Sequence, residues 1–322
     1  LKDHCEDVTL MKNSLWEFDL IRVSDQTGIP QEQIQRASRV FAQADASAIL
    51  YALETLHESL RHECVKALVN LALATGNIGK PSTGIYPLTT GANDQGSRDM
   101  GCVPNDLPGY RSVNKQQHID FFSQTWGVNL PSTPGIGIKG IASAIREGRI
   151  KSLFIVGNSP NFTNGQLDEN FIEALNQLEF LVVQDTFASE ITEIADAVLP
   201  NTTFAEEKGT YTNMERRIQL INPVLGPRGD QDQSWRVVTQ IAKRMGSEKF
   251  NHGSAEEIFS EIATVVEVYG GLSYKKLQTR TFQWPYRESG DKDSPILYTN
   301  EEKNHRSRMC ALTTPHPTEY TL

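Results

Sequence analysis

A chain of 322 residues, of which 38% are hydrophobic and 22% charged, is long enough to bury more than one hydrophobic core. Its formal net charge of −9 argues against nucleic acid as a partner, because phosphate binding requires clusters of Lys and Arg. No run of about 18 apolar residues is present, so the sequence contains no candidate membrane span.

The first quarter of the chain predicts two helices with a strand between them. In residues 24–45 apolar side chains recur at the spacing of an amphipathic helix, at Ile34, Ala37, Val40 and Phe41. Residues 47–53 (SAILYAL) form a short apolar run between turn-forming residues, which predicts a buried strand. A helical stripe then runs through HESLRHECVKALVNLALATGN, and Gly76-Asn77 predicts its left-handed end.

A stretch rich in glycine and small polar residues, residues 75–101, follows this helix. Glycine held in one conformation loses more entropy than any other residue. We therefore interpret the stretch either as disordered or as backbone that closely approaches a ligand.

The middle of the chain alternates strands and helices in the order that is typical of a parallel sheet. Short apolar, β-rich runs at 152–156 (SLFIV), 180–183 (FLVV) and 197–200 (AVLP) are separated by helical patterns. This alternation predicts βαβ units and an α/β fold, with strands covered by helices on both faces. The part of the chain after residue 200 mixes helices with irregular segments, which predicts a mixed α+β region.

The cysteines of the chain are far apart in sequence and form no CxxC pair: Cys5, Cys64, Cys102 and Cys310. This pattern is typical of a reduced protein of the cytoplasm rather than of a disulfide framework. No zinc or iron–sulfur motif can be built from these residues, so we assign no metal ligands.

Ligands of open parallel sheets bind at the carboxyl ends of the strands, which singles out three turns. These turns are GNSPN (157–161), QDTF (184–187) and LPNTTFAEEKGTYTN (199–213). Gly157 permits a tight turn whose amides could cradle phosphate oxygens. Asp185 could accept from the two donors of a guanine or from a ribose diol, or it could cap the following helix. The residues alone predict a nucleotide-type ligand and go no further.

Six blocks of sequence, taken in their order along the chain, resemble a known family and extend this interpretation. They are KALVNLALATGNIGKPSTGI, DQGSRDMGCVPNDLPGY, SLFIVGNSP, FLVVQDTF, ADAVLPNTTFAEEKGTYTNMERRIQ and QWPYR. Together they resemble the catalytic subunit of the molybdopterin oxidoreductases, in particular the formate dehydrogenase alpha subunit. The resemblance runs from about residue 20 to 290.

The resemblance implies a bis-molybdopterin guanine dinucleotide cofactor that holds Mo or W. It assigns to one guanosine and its diphosphate the residues Gly157, Asn158, Pro160, Gln184, Asp185 and Thr186, with hydroxyls added by Thr202 and Thr203. It interprets the glycine-rich stretch as backbone near the pterin and metal, and there assigns Gly91, Asn93 and Gln95.

The same resemblance implies an internal-to-C-terminal part of a longer subunit, with two incomplete Rossmann-like, doubly wound lobes. Residues 1–90 would be the returning half of the first α/β domain, and residues 91–200 the second, dinucleotide-binding one. Residues 201–290 would belong to the cluster-side domain, and residues 291–322 would lead toward a β-barrel domain. The expected [4Fe–4S] cluster and the barrel would lie outside this sequence, so we expect the isolated chain to be inactive.

The expected partners are a small-molecule substrate and electron-transfer subunits that carry iron–sulfur clusters or flavin.

Two further residues have candidate roles, of which the first has two alternatives and the second has one favoured interpretation. Arg98 either contacts a phosphate or the substrate, or pairs with Asp99 or another nearby acid. Glu206 is interpreted as holding its own turn by accepting backbone N–H groups.

Three departures from the family pattern affect the expected site. Thr89 stands where formate dehydrogenases usually have an arginine that orients the substrate carboxylate, so no catalytic residue is assigned. Leu53 and Glu54 replace a glycine-bearing turn, and Ser234 stands where an aspartate often contacts guanine. These departures favour an alternative function, a pterin-free structural subunit of a respiratory-type electron-transfer complex. A generic nucleotide-binding α/β protein is a third alternative, and cofactor content separates the first two.

Overall fold

The structure is a computed structural model, which describes residues 5–53, 56, 58–89, 91–157, 169–229, 231–299 and 307–313. It divides into two compact units. The terminal unit comprises Leu1–Thr89 and Pro295–Leu322, and the central unit comprises Thr90–Ser294. Every helix in the described ranges is too short or too polar to cross a lipid bilayer.

Helices and small sheets alternate through both units, as expected for an α/β protein. The terminal unit begins with β1 (Cys5–Glu6), α1 (Val8–Ser14), α2 (Leu20–Thr27), α3 (Gln31–Gln43), β2 (Ala48–Tyr51), α4 (Glu58–Ala74) and β3 (Gly84–Pro87). The central unit contains α5 (Asp94–Asp99), β4 (Asp106–Leu107), β5 (Arg111–Ser112), α6 (Gln116–Trp126), α7 (Ile138–Arg146), β6 (Ser152–Val156), α8 (Glu169–Leu175), β7 (Phe180–Asp185), α9 (Glu190–Ile194), β8 (Ala197–Pro200), β9 (Gly209–Thr212), β10 (Arg217–Ile221), α10 (Ser234–Arg244), α11 (Ala255–Val265), α12 (Tyr274–Leu277) and β11 (Phe282–Gln283). The chain then returns to the terminal unit with β12 (Ser307–Arg308).

The terminal unit contains the helix, strand and helix that the sequence predicts. Helix α3 covers the amphipathic stretch, and α4 covers the second helical stripe. Gly76, with φ of 67°, ends the α4 segment in the left-handed conformation, and the Asn77 amide donates to the Ala72 carbonyl at 2.8 Å. Strand β2 pairs in parallel with β3.

Strand β2 is present but is not buried, so that part of the prediction is wrong. Leu50 in this strand is 63% exposed, and Ala48 is exposed as well. In the described residues the sheet consists of β2 and β3 only. Side chains of a strand alternate between its two faces, and here only one face is covered, so every second side chain of β2 reaches solvent.

The central unit contains the parallel sheet that the alternation of strands and helices predicts. Strands β6, β7 and β8 pair in parallel in that order, with Ile155 opposite Val183 and Gln184 opposite Leu199. Side chains from the three flanking helices pack on the sheet in a buried cluster that includes Ile145, Ile155, Phe171, Leu181, Val183 and Ile191. The βαβ prediction is confirmed for this sheet.

Helices α7, α8 and α9 cover one face of this sheet, and the opposite face of β6 is exposed, which corrects the prediction that helices cover its strands on both faces. Ile155, Leu181 and Val183 point into the cluster with α7, α8 and α9. The alternate residues Phe154 and Val156 are 37% and 45% exposed. Within the described ranges, the helices next to these strands in sequence pack on the same side, so the other side of β6 remains open.

A second core of the central unit surrounds an antiparallel sheet of β9, β10 and β11. Its buried side chains come from helices and strands that are far apart in sequence: Phe122, Ile218, Phe259, Val266, Tyr269, Leu272, Tyr274, Leu277, Phe282 and Tyr286. Helices and antiparallel strands are mixed here, as predicted for the part of the chain after residue 200.

Candidate functional site

The carboxyl ends of β6, β7 and β8 bring several of the predicted residues to one edge of the sheet. The Gly157 amide donates to the Gln184 carbonyl at 2.8 Å, and Gly157 has φ of 69°. The Asn201 amide donates to the Asp185 carbonyl at 3.0 Å. The Thr186 hydroxyl donates to the Thr202 carbonyl at 3.3 Å. We call this the sheet-edge site. Two predicted residues, Asn158 and Pro160, lie outside the described residues.

Gln184 is the most deeply buried polar side chain of the sheet-edge site, with 0% exposure. Its Nε2 donates to Oδ1 of Asn201 at 3.1 Å, and the same oxygen accepts from the Ser234 hydroxyl at 2.9 Å. Within the described part of the chain, Oε1 of Gln184 is buried without a hydrogen-bond partner. A buried acceptor without a partner costs about 1–3 kcal/mol, so this atom fits a ligand that supplies a donor.

Asp185 stabilises the turn that follows its own strand. Its Oδ1 accepts from the Thr186 amide at 2.6 Å and from the Phe187 amide at 3.4 Å. The helix after this turn, α9, is capped instead by the Ser189 side chain, which accepts from the Thr192 amide. The alternative in which Asp185 caps the following helix is therefore wrong.

The hydroxyls of Thr202 and Thr203 donate to two neighbouring glutamates. Thr202 is 3% exposed, and its hydroxyl donates to Oε1 of Glu207 at 2.8 Å. The amide and the hydroxyl of Thr203 both donate to Oε2 of Glu206, at 2.8 and 2.9 Å. The predicted structural role of Glu206 is confirmed. Both hydroxyl protons are used in these contacts. The two threonine oxygens can therefore only accept hydrogen bonds from a ligand.

The two glutamates have pKa values that shift in opposite directions. The hydrogen bonds from the amide and hydroxyl of Thr203 hold the pKa of Glu206 below its ordinary value. Burial raises the pKa of Glu207, and the neighbouring charge of Glu206 raises it further, against the hydrogen bond from Thr202. The folded turn therefore stabilises the ionised form of Glu206 and destabilises the ionised form of Glu207.

The predicted residues of the glycine-rich stretch are arranged around α5. Oδ1 of Asn93 accepts from the Thr212 amide at 2.8 Å. A Cβ atom at Gly96 would lie 2.2 Å from this oxygen, so glycine is required there for the contact. The Gly91 amide donates to Oδ2 of Asp94 at 3.2 Å.

Gln95 donates from Nε2 to Oδ1 of Asp99 at 2.8 Å and to the Tyr110 hydroxyl at 2.6 Å. Asp99 has 0% exposure. The same Oδ1 accepts from the Tyr110 hydroxyl at 2.7 Å. The other carboxylate oxygen, Oδ2, accepts from the Tyr269 hydroxyl at 2.6 Å and from Nε1 of Trp284 at 2.9 Å. We call these side chains the Asp99 cluster.

The Asp99 cluster was not predicted from the sequence, although one signal for it was available. Gln95 and Asp99 are four positions apart in a helical segment, which places them on one face. Tyr269 and Trp284 are 170 and 185 positions away and carry no signal of this contact. The donors to Asp99 are neutral, so the ion pair with Arg98 that the sequence left open does not form.

A cavity of about 310 Å³ has walls from β9, α10 and α11. It is lined by Asn93 from the glycine-rich stretch and by Glu207 and Ser234, which contact Thr202 and Asn201 of the sheet-edge site. Aromatic side chains of Tyr211, Trp235 and Tyr274 line it as well. Its size and its mixture of apolar and polar walls are those of a small-molecule site.

The departures Leu53 and Thr89 lie in the terminal unit, after the carboxyl ends of β2 and β3. The Leu88 amide donates to the Tyr51 carbonyl at 2.7 Å, which extends the pairing of these strands toward Thr89. Thr89 is partly buried, and Glu54 lies outside the described residues. A threonine hydroxyl offers one donor and no charge, in contrast to the fork of a guanidinium group.

In the described ranges, no three His, Cys, Asp or Glu side chains come together in a way that could hold a metal ion. All four cysteines are free thiols, and only Cys5 is buried. Although Cys102 is exposed, partial desolvation of its sulfur by the surrounding protein raises the pKa of the thiol, which disfavours the thiolate form.

The chain is similar to known proteins over most of its length. A family model described as molybdopterin oxidoreductase matches residues 34–244. The F420-dependent formate dehydrogenase 2 subunit alpha of Methanococcus maripaludis is 36% identical over 302 residues, which are 92% of this chain and 44% of that protein. Formate dehydrogenase H of Escherichia coli is 32% identical over 283 residues, which are 87% of this chain and 39% of that protein.

A solved structure shares the fold at lower sequence identity. Acetylene hydratase from Pelobacter acetylenicus superimposes with a TM-score of 0.65 and 15% identity, over 96% of this chain and 46% of that one. At this identity the likeness concerns the fold alone. The chain spans less than half the length of these relatives.

Proposed function

The chain belongs to the molybdopterin oxidoreductase family, and we propose that its central unit binds a guanine dinucleotide end of a bis-molybdopterin guanine dinucleotide cofactor in a formate-dehydrogenase-like enzyme. The observation that carries this proposal is the buried Oε1 of Gln184, which has no partner among the described residues at the carboxyl edge of a parallel sheet. That edge is where α/β sheets bind nucleotides.

The chemistry of the sheet-edge site fits such a ligand. Gln184 supplies a buried acceptor, and Gly157 with its positive φ lets backbone approach a diphosphate closely. Asp185 supplies a carboxylate at the end of β7, and carboxylates pair with the N1–H and exocyclic amine of guanine. The hydroxyl oxygens of Thr202 and Thr203, whose protons are donated to Glu207 and Glu206, supply further acceptor lone pairs.

A cavity that Asn93, Glu207 and Ser234 line supports placing the pterin next to the dinucleotide. Asn93 is oriented by the Thr212 amide, so its NH₂ group faces away from that contact, and Asn93 also lines the cavity. In this proposal Asn93 donates to the pterin, and the aromatic side chains exclude water from it. When bound, the Mo or W of the cofactor takes up or supplies the two electrons of the reaction.

The reaction we propose is a two-electron oxidation or reduction of a small substrate. Similarity to formate dehydrogenases supports formate as the first substrate to test. Thr89 offers no charge-assisted contact to a carboxylate, so we expect formate to bind weakly. The electrons pass to iron–sulfur or flavin subunits in this proposal, which the name "subunit alpha" of one relative supports.

Several finer assignments are also part of the proposal. They are the doubly wound arrangement of two lobes, the division at residues 90, 200 and 290, a [4Fe–4S] cluster elsewhere in the enzyme, and a location in the cytoplasm. The dispersed free cysteines support that location.

The experiment that tests the proposal measures cofactor content. The protein is expressed from its complete reading frame in a host that makes molybdopterin, and Mo, W, oxidised pterin and GMP released by acid are measured. We expect about one metal, two pterins and two GMP per chain, the content of a bis-dinucleotide cofactor. Folded protein without metal, pterin or GMP would contradict the proposal and favour the structural-subunit alternative.

A further inference from the structure

We propose that Asp99 is a positioning residue, which holds the side-chain amide of Gln95 with its oxygen outward, so that Gln95 accepts a hydrogen bond from an N–H group of the bound cofactor. The ligand is a planar heterocycle with an N–H edge, of which a pterin is one. This inference rests on the proposed function, since it takes the pterin as the ligand.

The carboxylate of Asp99 is buried and is surrounded by donors. Each of its oxygens accepts two hydrogen bonds, from Gln95 and Tyr110 on one side and from Tyr269 and Trp284 on the other. The indole N–H of Trp284 and the amide N–H of Gln95 can only donate. The ionised carboxylate is therefore the form that satisfies all four contacts.

This charge is balanced by neutral donors rather than by a cation. In the described part of the chain Asp99 forms no ion pair, and the neighbouring Arg98 is exposed. Burial together with the charge of Asp99 raises the pKa of Tyr110 and that of Tyr269, so both hydroxyls remain protonated donors. A buried charge without a cation costs desolvation free energy, which indicates a role in fixing the geometry of its donors.

Asp99 determines which end of the Gln95 amide faces inward. A carboxylate cannot donate, so the group of Gln95 that contacts it must be the NH₂ group. Both hydrogens of this group are used, one by Asp99 and one by the Tyr110 hydroxyl. Oε1 of Gln95 has no hydrogen-bond partner among the described residues, and it is the end left to accept from a ligand.

The substitution Asp99→Asn should invert this arrangement. Trp284 can only donate, so the new amide must direct its oxygen toward Trp284 and its NH₂ group toward Gln95. Gln95 then accepts that contact with its own oxygen and presents NH₂ outward. The outward end of Gln95 thereby changes from a hydrogen-bond acceptor to a donor. Its NH₂ group then faces the N–H group of the ligand, and no hydrogen bond can form between them.

A swapped double variant should restore the arrangement. In Asp99→Asn with Gln95→Glu, the carboxylate on α5 moves by one helical turn and the total charge stays the same. One oxygen of the new carboxylate accepts from the amide at position 99, and the other remains available as an outward acceptor. The double variant is therefore a rescue that a purely structural role of Asp99 does not predict.

The test uses the protein expressed from its complete reading frame and loaded with cofactor. Pterin and metal retained per chain are measured after serial dilution and gel filtration, and unfolding in urea is followed by tryptophan fluorescence. We expect Asp99→Asn to retain cofactor at least tenfold less well than wild type, and the double variant to recover most of this loss. The matched control is Asp120→Asn, because Asp120 accepts from Gln116 at 2.8 Å in the same four-residue relation on the exposed side of α6.

The possible outcomes separate this inference from the proposed function. Wild-type protein without pterin would overturn the proposed function and this inference with it. Wild-type protein with pterin and an Asp99→Asn variant that retains it equally would overturn this inference alone, as would a double variant that stays as poor as the single one. If Asp99→Asn does not fold, Gln95→Leu decides, because it leaves the other donors to Asp99; unchanged retention would then overturn the inference.

Discussion

The Tyr269 hydroxyl lies 2.6 Å from Oδ2 of Asp99, although 170 positions separate the two residues in the chain. The same hydroxyl lies 2.8 Å from the hydroxyl of Thr212 on β9. Tyr269 thereby joins α5, the antiparallel sheet and the segment after α11 through one buried oxygen. This contact links the glycine-rich stretch to the second core of the central unit.

Tyr269→Phe should destabilise the central unit. It removes a donor from a buried carboxylate, and hydrogen bonds to charged groups contribute about 1.5–3 kcal/mol to the free energy of unfolding. Urea unfolding followed by tryptophan fluorescence measures the change. The matched control is Tyr274→Phe, because Tyr274 is equally buried and its hydroxyl has no hydrogen-bond partner in the described ranges. We expect a change of about 0.5 kcal/mol or less there, and equal effects of the two variants would contradict the prediction.

Glu207→Gln should stabilise the protein at neutral pH. Burial raises the pKa of Glu207 in the folded state. The contribution of Glu207 to the free energy of unfolding is therefore fully present below its unfolded pKa, and it is lost as the pH rises through its folded pKa. Glutamine keeps an oxygen for the Thr202 hydroxyl and carries no charge. The difference in free energy of unfolding between variant and wild type should therefore be small near pH 4 and grow toward pH 7, measured by urea unfolding at each pH.

Glu206→Gln should have the opposite effect in the same experiment. Hydrogen bonds from Thr203 hold the pKa of Glu206 below its ordinary value, so its contribution is present at neutral pH and is lost as the pH falls through the folded pKa. The variant should be less stable than wild type at pH 7 and should approach it at low pH. If the difference in free energy of unfolding from wild type changed with pH in the same direction for both glutamine variants, the opposite pKa shifts of the two carboxylates would be contradicted.

Asp185→Asn should weaken retention of the guanine dinucleotide. An amide offers one acceptor and a mismatched donor to the two N–H groups of guanine, and each charge-assisted hydrogen bond contributes about 1.5–3 kcal/mol. We expect about 10–100-fold poorer retention, measured as GMP released per chain after dilution. Asp232→Asn serves as a control in the loop before α10, and the prediction fails if both variants retain GMP equally.

Thr89→Arg should improve the use of formate by the cofactor-loaded enzyme. A guanidinium group can form two parallel charge-assisted hydrogen bonds with a carboxylate, which the threonine hydroxyl cannot. We expect the KM for formate to fall by about tenfold or more. Thr89→Lys is the control, because its point charge lacks the fork geometry and should give a smaller gain. A KM that is the same in all three proteins would exclude position 89 from substrate binding.

Local patterns predicted the elements of the sheet-edge site correctly. The apolar runs at β6, β7 and β8 and the helices between them follow from periodicity, and their parallel pairing brings Gly157, Asp185 and Thr202 to one edge. The turn held by Glu206 was predictable because its contacts are three residues away. The exposure of Leu50, Phe154 and Val156 was not, because a strand's own residues do not reveal which of its faces a helix covers.

The sequence by itself determined the family, the order of helices and strands, and the candidate ligand residues, since these depend on motifs and on neighbours within a few positions. Only the tertiary structure decided how those residues are oriented. The outward oxygen of Gln95 depends on Asp99, which in turn accepts from Tyr269 and Trp284 across 170 and 185 positions. Hydrogen bonds between distant residues leave no periodic signal in a sequence, because folding alone brings their donors and acceptors within reach.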